Sequence, residues 1–391
     1  MRSIRDVDLK GKQVLMRVDF NVPMEDDGSI IDDARITAAI PTIQYILGQG
    51  AKLILMSHLG RPKAKPNPKY SLKPVAAHLS SLLNKTVIMA DDCVGPAVQD
   101  MIKQLAPGQV LMLENVRFYP GEEKNDPDFS QQLAQLGDIY VNDAFGTAHR
   151  AHSSTAGIAA YLPAYAGFLL ENEVNMLRKV LEHPECPRMA ILGGAKVSDK
   201  LGLIKNLLDK MDVLLVGGGI GSTFLYARGI KVGKSICEVD LLPEARSLIA
   251  LAEQKGKQIL MPVDVVIAPA LDGDAPSRIV DVDAIPDDMM IVDIGPKTIK
   301  GFSAAIAKAH TIIWNGPVGV YEYQQFAVGT EAVAQAIAAS SAVSVIGGGD
   351  SAAAVHKLGL ERNITHISTG GGATLEFLEG IELPGVKSCE V

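Results

Sequence analysis

Arg35, His58, Arg61, Arg117, His149, Arg150 and His152 lie on separate short segments of a 391-residue chain, most of them following or flanking an apolar run that reads as a strand. A sheet that gathers those strand ends on one rim turns scattered cations into a single pocket for a small polyanion. Guanidinium groups suit that task because their planar donor fork binds phosphate or carboxylate through two hydrogen bonds. Asp19 and Asn21, within Arg17-Val-Asp-Phe-Asn-Val-Pro23, add an acceptor and an amide able to hold a hydroxyl group. For any one arginine a surface ion pair is the default, so the set carries the argument. The spacing of His149 and His152 is open to metal ligation, but the intervening Arg150 and the lack of carboxylate or thiol partners nearby in the sequence weigh against it.

The second half carries phosphate-binding chemistry of another kind. Gly193-Gly-Ala-Lys196-Val-Ser-Asp-Lys200 follows the apolar run Met189–Leu192 and is expected to open a helix through Leu208, which would put Lys196 and Lys200 one turn apart and facing one phosphate chain. Gly347-Gly348-Gly349-Asp350-Ser351 repeats the arrangement, with a carboxylate where a phosphate-bound Mg2+ needs a hard oxygen ligand. An N-cap aspartate in a glycine turn is the plainer alternative. Thr369-Gly-Gly-Gly-Ala373 supplies a third set of helix-start amides, and three such turns favour a phosphate cradle. Two look-alikes fail. Gly229-Ile-Lys-Val-Gly-Lys-Ser235 has one residue too few between its glycines for a P-loop, and Gly217-Gly-Gly-Ile-Gly221 lacks the last glycine of a dinucleotide fingerprint. HRD and DFG motifs are absent, which excludes the protein-kinase pattern.

The elements that must position these groups are short apolar runs separated by helical patterns: Lys52–Met56, Val110–Leu113, Ile139–Val141, Met189–Leu192, Val213–Val216, Ile312–Trp314 and Val343–Ile346. Runs with so little polar alternation suit parallel strands covered on both faces. The expected class is α/β, two doubly wound domains with mainly parallel sheets joined by a bridging helix and hinge. Leu170, Val174, Leu177 and Leu181 form an apolar helical stripe that Pro184 and Pro187 terminate. The expected division is an N-terminal domain over 1–168, an interdomain helix over 169–185, a nucleotide-binding domain over 186–380 and a tail over 381–391.

Bulk chemistry narrows the function class. The net charge is −8, and residues 1–168 hold 17 Lys and Arg against 18 Asp and Glu, so the cationic pocket sits in a nearly neutral half. No Lys/Arg run or broad basic face is present, which argues against nucleic acid. Cys93, Cys186, Cys237 and Cys389 are widely spaced and fit neither a metal pattern nor a disulfide framework, as expected for thiols in a reducing cytoplasm. No secretory signal or membrane span is expected, because charges fill the first twelve residues and polar residues, proline or glycine interrupt the longest uncharged runs. A NAD-dependent dehydrogenase fits the α/β pattern but not the failed glycine fingerprint. A non-catalytic nucleotide-binding regulator would not need Lys196 or Asp350.

Taken in order, Arg17–Pro23, Ser57-His-Leu-Gly-Arg-Pro62, Glu114-Asn-Val-Arg-Phe118, Gly146-Thr-Ala-His-Arg-Ala-His152, Gly193–Lys200, Trp314-Asn-Gly-Pro-Val-Gly-Val320 and Gly347–Ser351 resemble phosphoglycerate kinase of the bacterial type over essentially the whole chain. The resemblance implies reversible, Mg2+-dependent phosphoryl transfer between 1,3-bisphosphoglycerate and ADP, giving 3-phosphoglycerate and ATP directly after hinge closure. A carboxylate acceptor is already ionised at neutral pH, so such a site needs no general base. The resemblance further implies that Asp19, Asn21, His58, Arg61, Arg117 and Arg150 hold 3-phosphoglycerate, the last three nearest its phosphate, with Arg35 beside the reacting carboxyl group. It implies that Lys196 follows the transferring phosphoryl group, that Lys200, Asn315, Gly348, Gly349 and Ser351 contact the nucleotide phosphates, and that Glu322 bonds the ribose. Asp350 would hold Mg2+, and Gly371 and Gly372 would offer amides to the transition state. A cytoplasmic monomer whose tail packs on the first domain is also implied. Tyr321 stands where phenylalanine is more usual, and the tail after Pro384 is individual.

Overall fold

Strands covered on both faces dispense with polar alternation, and the first sheet is made of such strands: β1 (Gln13–Arg17), β2 (Lys52–Met56), β3 (Val87–Met89), β4 (Val110–Met112), β5 (Ile139–Asn142) and β6 (Ala164–Ala166). The structure, a computed structural model, describes residues 1–390. All pairings in this sheet are parallel, in the order β3-β4-β2-β1-β5-β6. Ile36 and Ile43 of the helix Ala34–Gly48, with Val75 and Leu79 of the helix Lys73–Leu83, pack on Val14, Met16, Leu53 and Leu55 in one core. From β1 the chain passes to β2 on one side, and β5 joins on the other. The C-terminal end of β1 is therefore the point where strand order reverses, the crevice in which open α/β sheets take their ligands. Register completes the rim, since Arg17 pairs with Met56 and Asn142, which brings Ser57-His58 and Asp143 beside Val18-Asp19.

The second half repeats the plan. It contains β7 (Arg188–Leu192), β8 (Val213–Val216) and β9 (Gln258–Leu260), then β10 (Asp264–Ala268), β11 (Arg278–Asp281) and β12 (Met290–Ile294), then β13 (Thr311–Asn315), β14 (Val343–Gly347) and β15 (His366–Ile367). Six of these form a parallel sheet in the order β15-β14-β13-β7-β8-β9, whose reversal point is the end of β7, where Gly193 begins. The remaining three form a separate antiparallel sheet, β11-β10-β12, that the sequence reading did not anticipate. An apolar run such as Val265-Val-Ile267 declares a strand but not the direction of its partner.

The chain divides into two compact units, one comprising Met1–Asn175 with the chain from Glu382 onward and the other Met176–Ile381. The division falls inside the helix Phe168–Glu182, whose stripe Leu170, Val174, Leu177 and Leu181 is buried. Asp143 Oδ1 accepts from the Leu169 and Leu170 amides and so occupies the start of that helix. Within the first unit, the Gly385 amide donates to Ala148 O (2.8 Å) and Asn142 Nδ2 donates to Gly385 O (3.0 Å). Among the described residues no helix is long and apolar enough to cross a membrane.

One local expectation is corrected. The helix expected from Gly193 begins only at Leu201, after a turn with Gly194 at φ +108° and a 3-10 turn over Ser198–Lys200. Lys196 and Lys200 therefore do not share one helical face, because Lys196 lies before the 3-10 turn, Lys200 ends it, and the α-helix starts only after both.

Candidate functional site

In the first unit the turn His58-Leu-Gly-Arg61 is held from two sides at one glycine. Asn21 Oδ1 accepts from the Gly60 amide (2.8 Å), and Arg117 Nη1 donates to Gly60 O (2.9 Å). Gly60 has φ +60°, and a Cβ there would run into the Tyr70 ring, so only glycine lets the turn close. Asn115 secures the same turn, donating to Leu59 O (2.8 Å) and Tyr70 O (2.9 Å) while accepting from the Arg117 amide (3.0 Å). Arg35 Nη1 reaches Asp19 Oδ2 (3.2 Å) and Asn21 O (3.0 Å), and its side chain is 37% exposed.

The electrostatics of this rim are lopsided. His58 is buried, and burial followed by Arg17, Arg117, Arg150 and Arg35 holds its ring well below the usual imidazole range, so it is neutral. His152 is pushed down to about 4, by burial first and then by Arg117, Arg17 and Arg150. Arg117 is buried, and its Nη2 has no hydrogen-bond partner although its Nε lies 3.5 Å from Glu123. An unpaired buried guanidinium edge is costly unless an anion completes it. Arg150 Nε donates to His149 Nε2 (3.2 Å), whereas Arg61 is exposed at the end of its turn. The sequence reading saw no carboxylate near His152. Folding supplies one in buried Glu122, 3.9 Å away, and Ser154 donates to both oxygens of that carboxylate. A neighbouring cavity of about 550 Å³ touches this rim through Asn21 and Gly60, and its lip of Glu25, Asp26 and Asp27 does not suit an anion.

In the second unit three glycine turns interlock through their backbones. The Gly193 amide donates to Asn315 O, Gly194 to Pro317 O, and Gly218 to Val318 O, at 2.9 to 3.1 Å. A Cβ on Gly193 would strike Pro317 O, and one on Gly219 would strike Ala195 O. These turns wall a cavity of about 250 Å³ lined by Ile236, Leu271, Ile291, Val292, Pro317, Val318 and Val320, with Glu322 and Asp350 among its polar members. An apolar slot with a few placed polar groups is the usual form of a small-ligand site. Lys200 points into the turns, donating to Gly193 O (2.5 Å) and Asn315 O (2.9 Å), while Lys196 is exposed. Burial lowers Lys200 to about 8 against the pull of Asp350 and Asp199. Asp350 is exposed in the first turn of the helix Gly349–Lys357, where Gly348 is the N-cap. Ser351 is buried and its hydroxyl accepts from the Gly316 amide (2.7 Å), so it supports the neighbouring turn. Asn315 is buried, Gly371 at φ +53° precedes the short helix Gly372–Leu378, and Glu322 is exposed.

The family description phosphoglycerate kinase matches residues 4–381. A phosphoglycerate kinase of Chloroflexus aurantiacus is 55% identical over 394 aligned residues, covering 100% of this chain and 98% of that protein. The chain belongs to the phosphoglycerate kinase family. It is a phosphotransferase, a glycolytic kinase. The phosphoglycerate kinase of Moorella thermoacetica is 56% identical, with 98% of each chain covered. The solved structure of phosphoglycerate kinase from Coxiella burnetii superposes with a TM-score of 0.92 at 45% identity, covering 99% of this chain and 98% of that one. The Pyrococcus horikoshii enzyme gives 0.86 at 36% identity over 100% and 98%.

Sequence reasoning missed several residues of this kinase. Arg17 is absent from the cationic set read from the sequence, although an arginine ending an apolar run is a usable signal. Gly218 and Gly219 were set aside with the failed dinucleotide fingerprint, yet both line the cavity. The apolar walls come from distant strands and turns, with no local motif to announce them.

Proposed function

We propose that the first unit binds 3-phosphoglycerate or 1,3-bisphosphoglycerate at the rim of β1, that the second binds ADP or ATP in the glycine-walled cavity, and that the phosphoryl group passes directly between them. The observation that carries this reading is the cationic rim, where Arg17, Arg35, Arg117 and Arg150 act together on His58 and the buried Nη2 of Arg117 lacks a partner. Asp19 and Asn21 hold the hydroxyl and orient the acceptor, and Arg61, Arg117 and Arg150 take the phosphate. Arg35, tied to Asp19 but partly exposed, stabilises charge on the reacting carboxyl group. Phosphoryl transfer asks mainly for positioning and charge stabilisation, which these residues supply without a nucleophile.

On the nucleotide side, Glu322 bonds the ribose, Lys200 with Asn315, Gly348, Gly349 and Ser351 organises the phosphate chain, and exposed Lys196 with the Gly371 and Gly372 amides meets the transferring group. A lone carboxylate at a helix start fits Mg2+, which keeps its waters and binds mostly through substrate phosphates, so Asp350 is assigned to hold the Mg-nucleotide complex. When bound, the ion would neutralise charge on the phosphates. Direct transfer requires the two ligands to meet, so the units close on a hinge near the helix Phe168–Glu182. We assign the enzyme to the cytoplasm as a monomer. The cytoplasmic assignment is supported by four cysteines without a disulfide and the monomer by the family resemblance.

The test is phosphoryl transfer from Mg-ATP to 3-phosphoglycerate, with hydroxylamine trapping the acyl phosphate. Acceptor-dependent ADP and hydroxamate are expected. A folded protein that binds both ligands and forms neither product overturns the assignment.

A further inference from the structure

Arg17 and Glu122 are fully buried charges to which the reading above gives no substrate contact. The Ser154 hydroxyl stands between them, donating to Glu122 Oε1 (2.6 Å) and accepting from Arg17 Nε (2.7 Å). The Ser154 amide donates to the other carboxylate oxygen (3.0 Å), so the turn carrying Ser154 is anchored twice. A hydroxyl has one proton, and once it goes to the carboxylate only lone pairs face Arg17. At its far edge Arg17 Nη1 donates to Val18 O, and Nη2 meets His58 Nδ1 at 3.2 Å. Guanidinium has no acceptor, so His58 Nδ1 must accept and the ring proton must sit on Nε2. The competing arrangement, Nδ1–H donating to Asp19, fails because Asp19 Oδ1 lies 4.0 Å from that nitrogen.

We propose that Glu122 is a positioning residue for the transfer reaction, acting through Ser154 and Arg17 to hold His58 as its neutral Nε2–H tautomer and so present a fixed donor to the anionic substrate. The proposal rests on His58 belonging to the 3-phosphoglycerate site as read above. The physical logic is that a buried guanidinium needs a buried counter-charge. Glu122 supplies it from behind, leaving the front edge of Arg17 to fix the imidazole. The charged groups acting on His58 are Arg17, Arg117, Arg150 and Arg35, with Asp19 beyond hydrogen-bond reach, and the arginines and burial both oppose an imidazolium.

The experiment is 15N NMR of the imidazole tautomers in full-length protein, with His58 assigned by loss of its signals in His58→Gln, alongside titration with 3-phosphoglycerate and separately with Mg-ADP. Wild type is expected to show only the Nε2–H tautomer of His58 from pH 6 to 8. Glu122→Gln and Ser154→Ala should admit the Nδ1–H tautomer and weaken 3-phosphoglycerate binding by about tenfold, the worth of one charge-assisted hydrogen bond. Mg-ADP affinity should stay unchanged, and Ser154→Thr, which restores the hydroxyl, should recover both signals. Wild-type His58 protonated on Nδ1, or variants that keep the wild-type tautomer, would overturn the proposal. If 3-phosphoglycerate leaves the His58 signals of wild type unmoved, the substrate-site reading fails, while the tautomer comparison still judges the relay.

Discussion

Nucleotide binding should draw a proton onto Lys200, and replacing that residue by arginine should abolish the uptake. The Lys200 ammonium spends two donors on Gly193 O and Asn315 O, and burial brings its pKa from 10.5 down to about 8. The third donor remains for a phosphate, whose charge would return the group to its ordinary value. With a free-state pKa of about 8 and a bound-state value of about 10.5, uptake is about 0.1 proton at pH 7, about 0.5 at pH 8 and about 0.9 at pH 9. The sign is definite: binding raises the pKa, so affinity falls as pH rises between about 8 and 10.5, by up to about tenfold per unit. Titration calorimetry with Mg-ADP in buffers of different ionisation enthalpy measures the uptake directly. Lys200→Arg keeps the positive charge at every pH and should show no uptake. A wild-type value that does not grow from pH 7 to 9, or an equal uptake in the arginine variant, would refute the reasoning.

Three further perturbations follow. Arg35→Ala should lower turnover about 10²- to 10³-fold, the cost of removing one transition-state donor, while Mg-ADP affinity is retained. Steady-state kinetics with unchanged kcat would reject its role. Gly60→Ala strains a left-handed residue and drives a Cβ into Tyr70, so 3-phosphoglycerate affinity should drop at least tenfold as Asn21 and Arg117 lose their shared anchor, which fluorescence titration can check; an affinity equal to wild type would count against the clamp. Asp143, buried at the start of the helix Phe168–Glu182, is pushed up to about 7 by burial. The folded state then keeps a proton that the unfolded chain releases near 3.8, so this group's contribution to stability is lost as pH rises from about 4 to 7. Asp143→Asn should gain stability relative to wild type on going from pH 5 to pH 8, read by urea midpoints, and a relative loss would contradict the burial argument.

Much of the framework was legible in the residues. Lys52–Met56 and Val213–Val216 are strands with the bounds read from their apolar runs, and Leu170, Val174, Leu177 and Leu181 do line one buried helix face. Local patterning suffices there because a strand covered on both faces, or a helix covered on one, imposes its demand on consecutive or regularly spaced positions. The glycine turns after β7 and β14 were legible for a related reason: a backbone that must enter the left-handed region, or pass close to another backbone, writes itself as glycine.

Tertiary structure alone decided how those pieces act. Lys196 and Lys200 look equivalent in the sequence, yet Lys196 lies exposed before the 3-10 turn while Lys200, at its end, turns onto two carbonyls. The direction of β10 to β12 was invisible because an apolar run specifies burial, not which strand will lie beside it. Arg17, Glu122, Ser154 and His58 sit far apart in the chain, and nothing in their spacing links them. Only the parallel register of β1 with its neighbours and the return of the Ser153–Ser154 turn bring them within hydrogen-bond distance. Periodicity and glycine placement report what each segment needs from its surroundings; partnership between distant charges is settled when the sheet closes and water is excluded, because only then does leaving one unpaired become expensive.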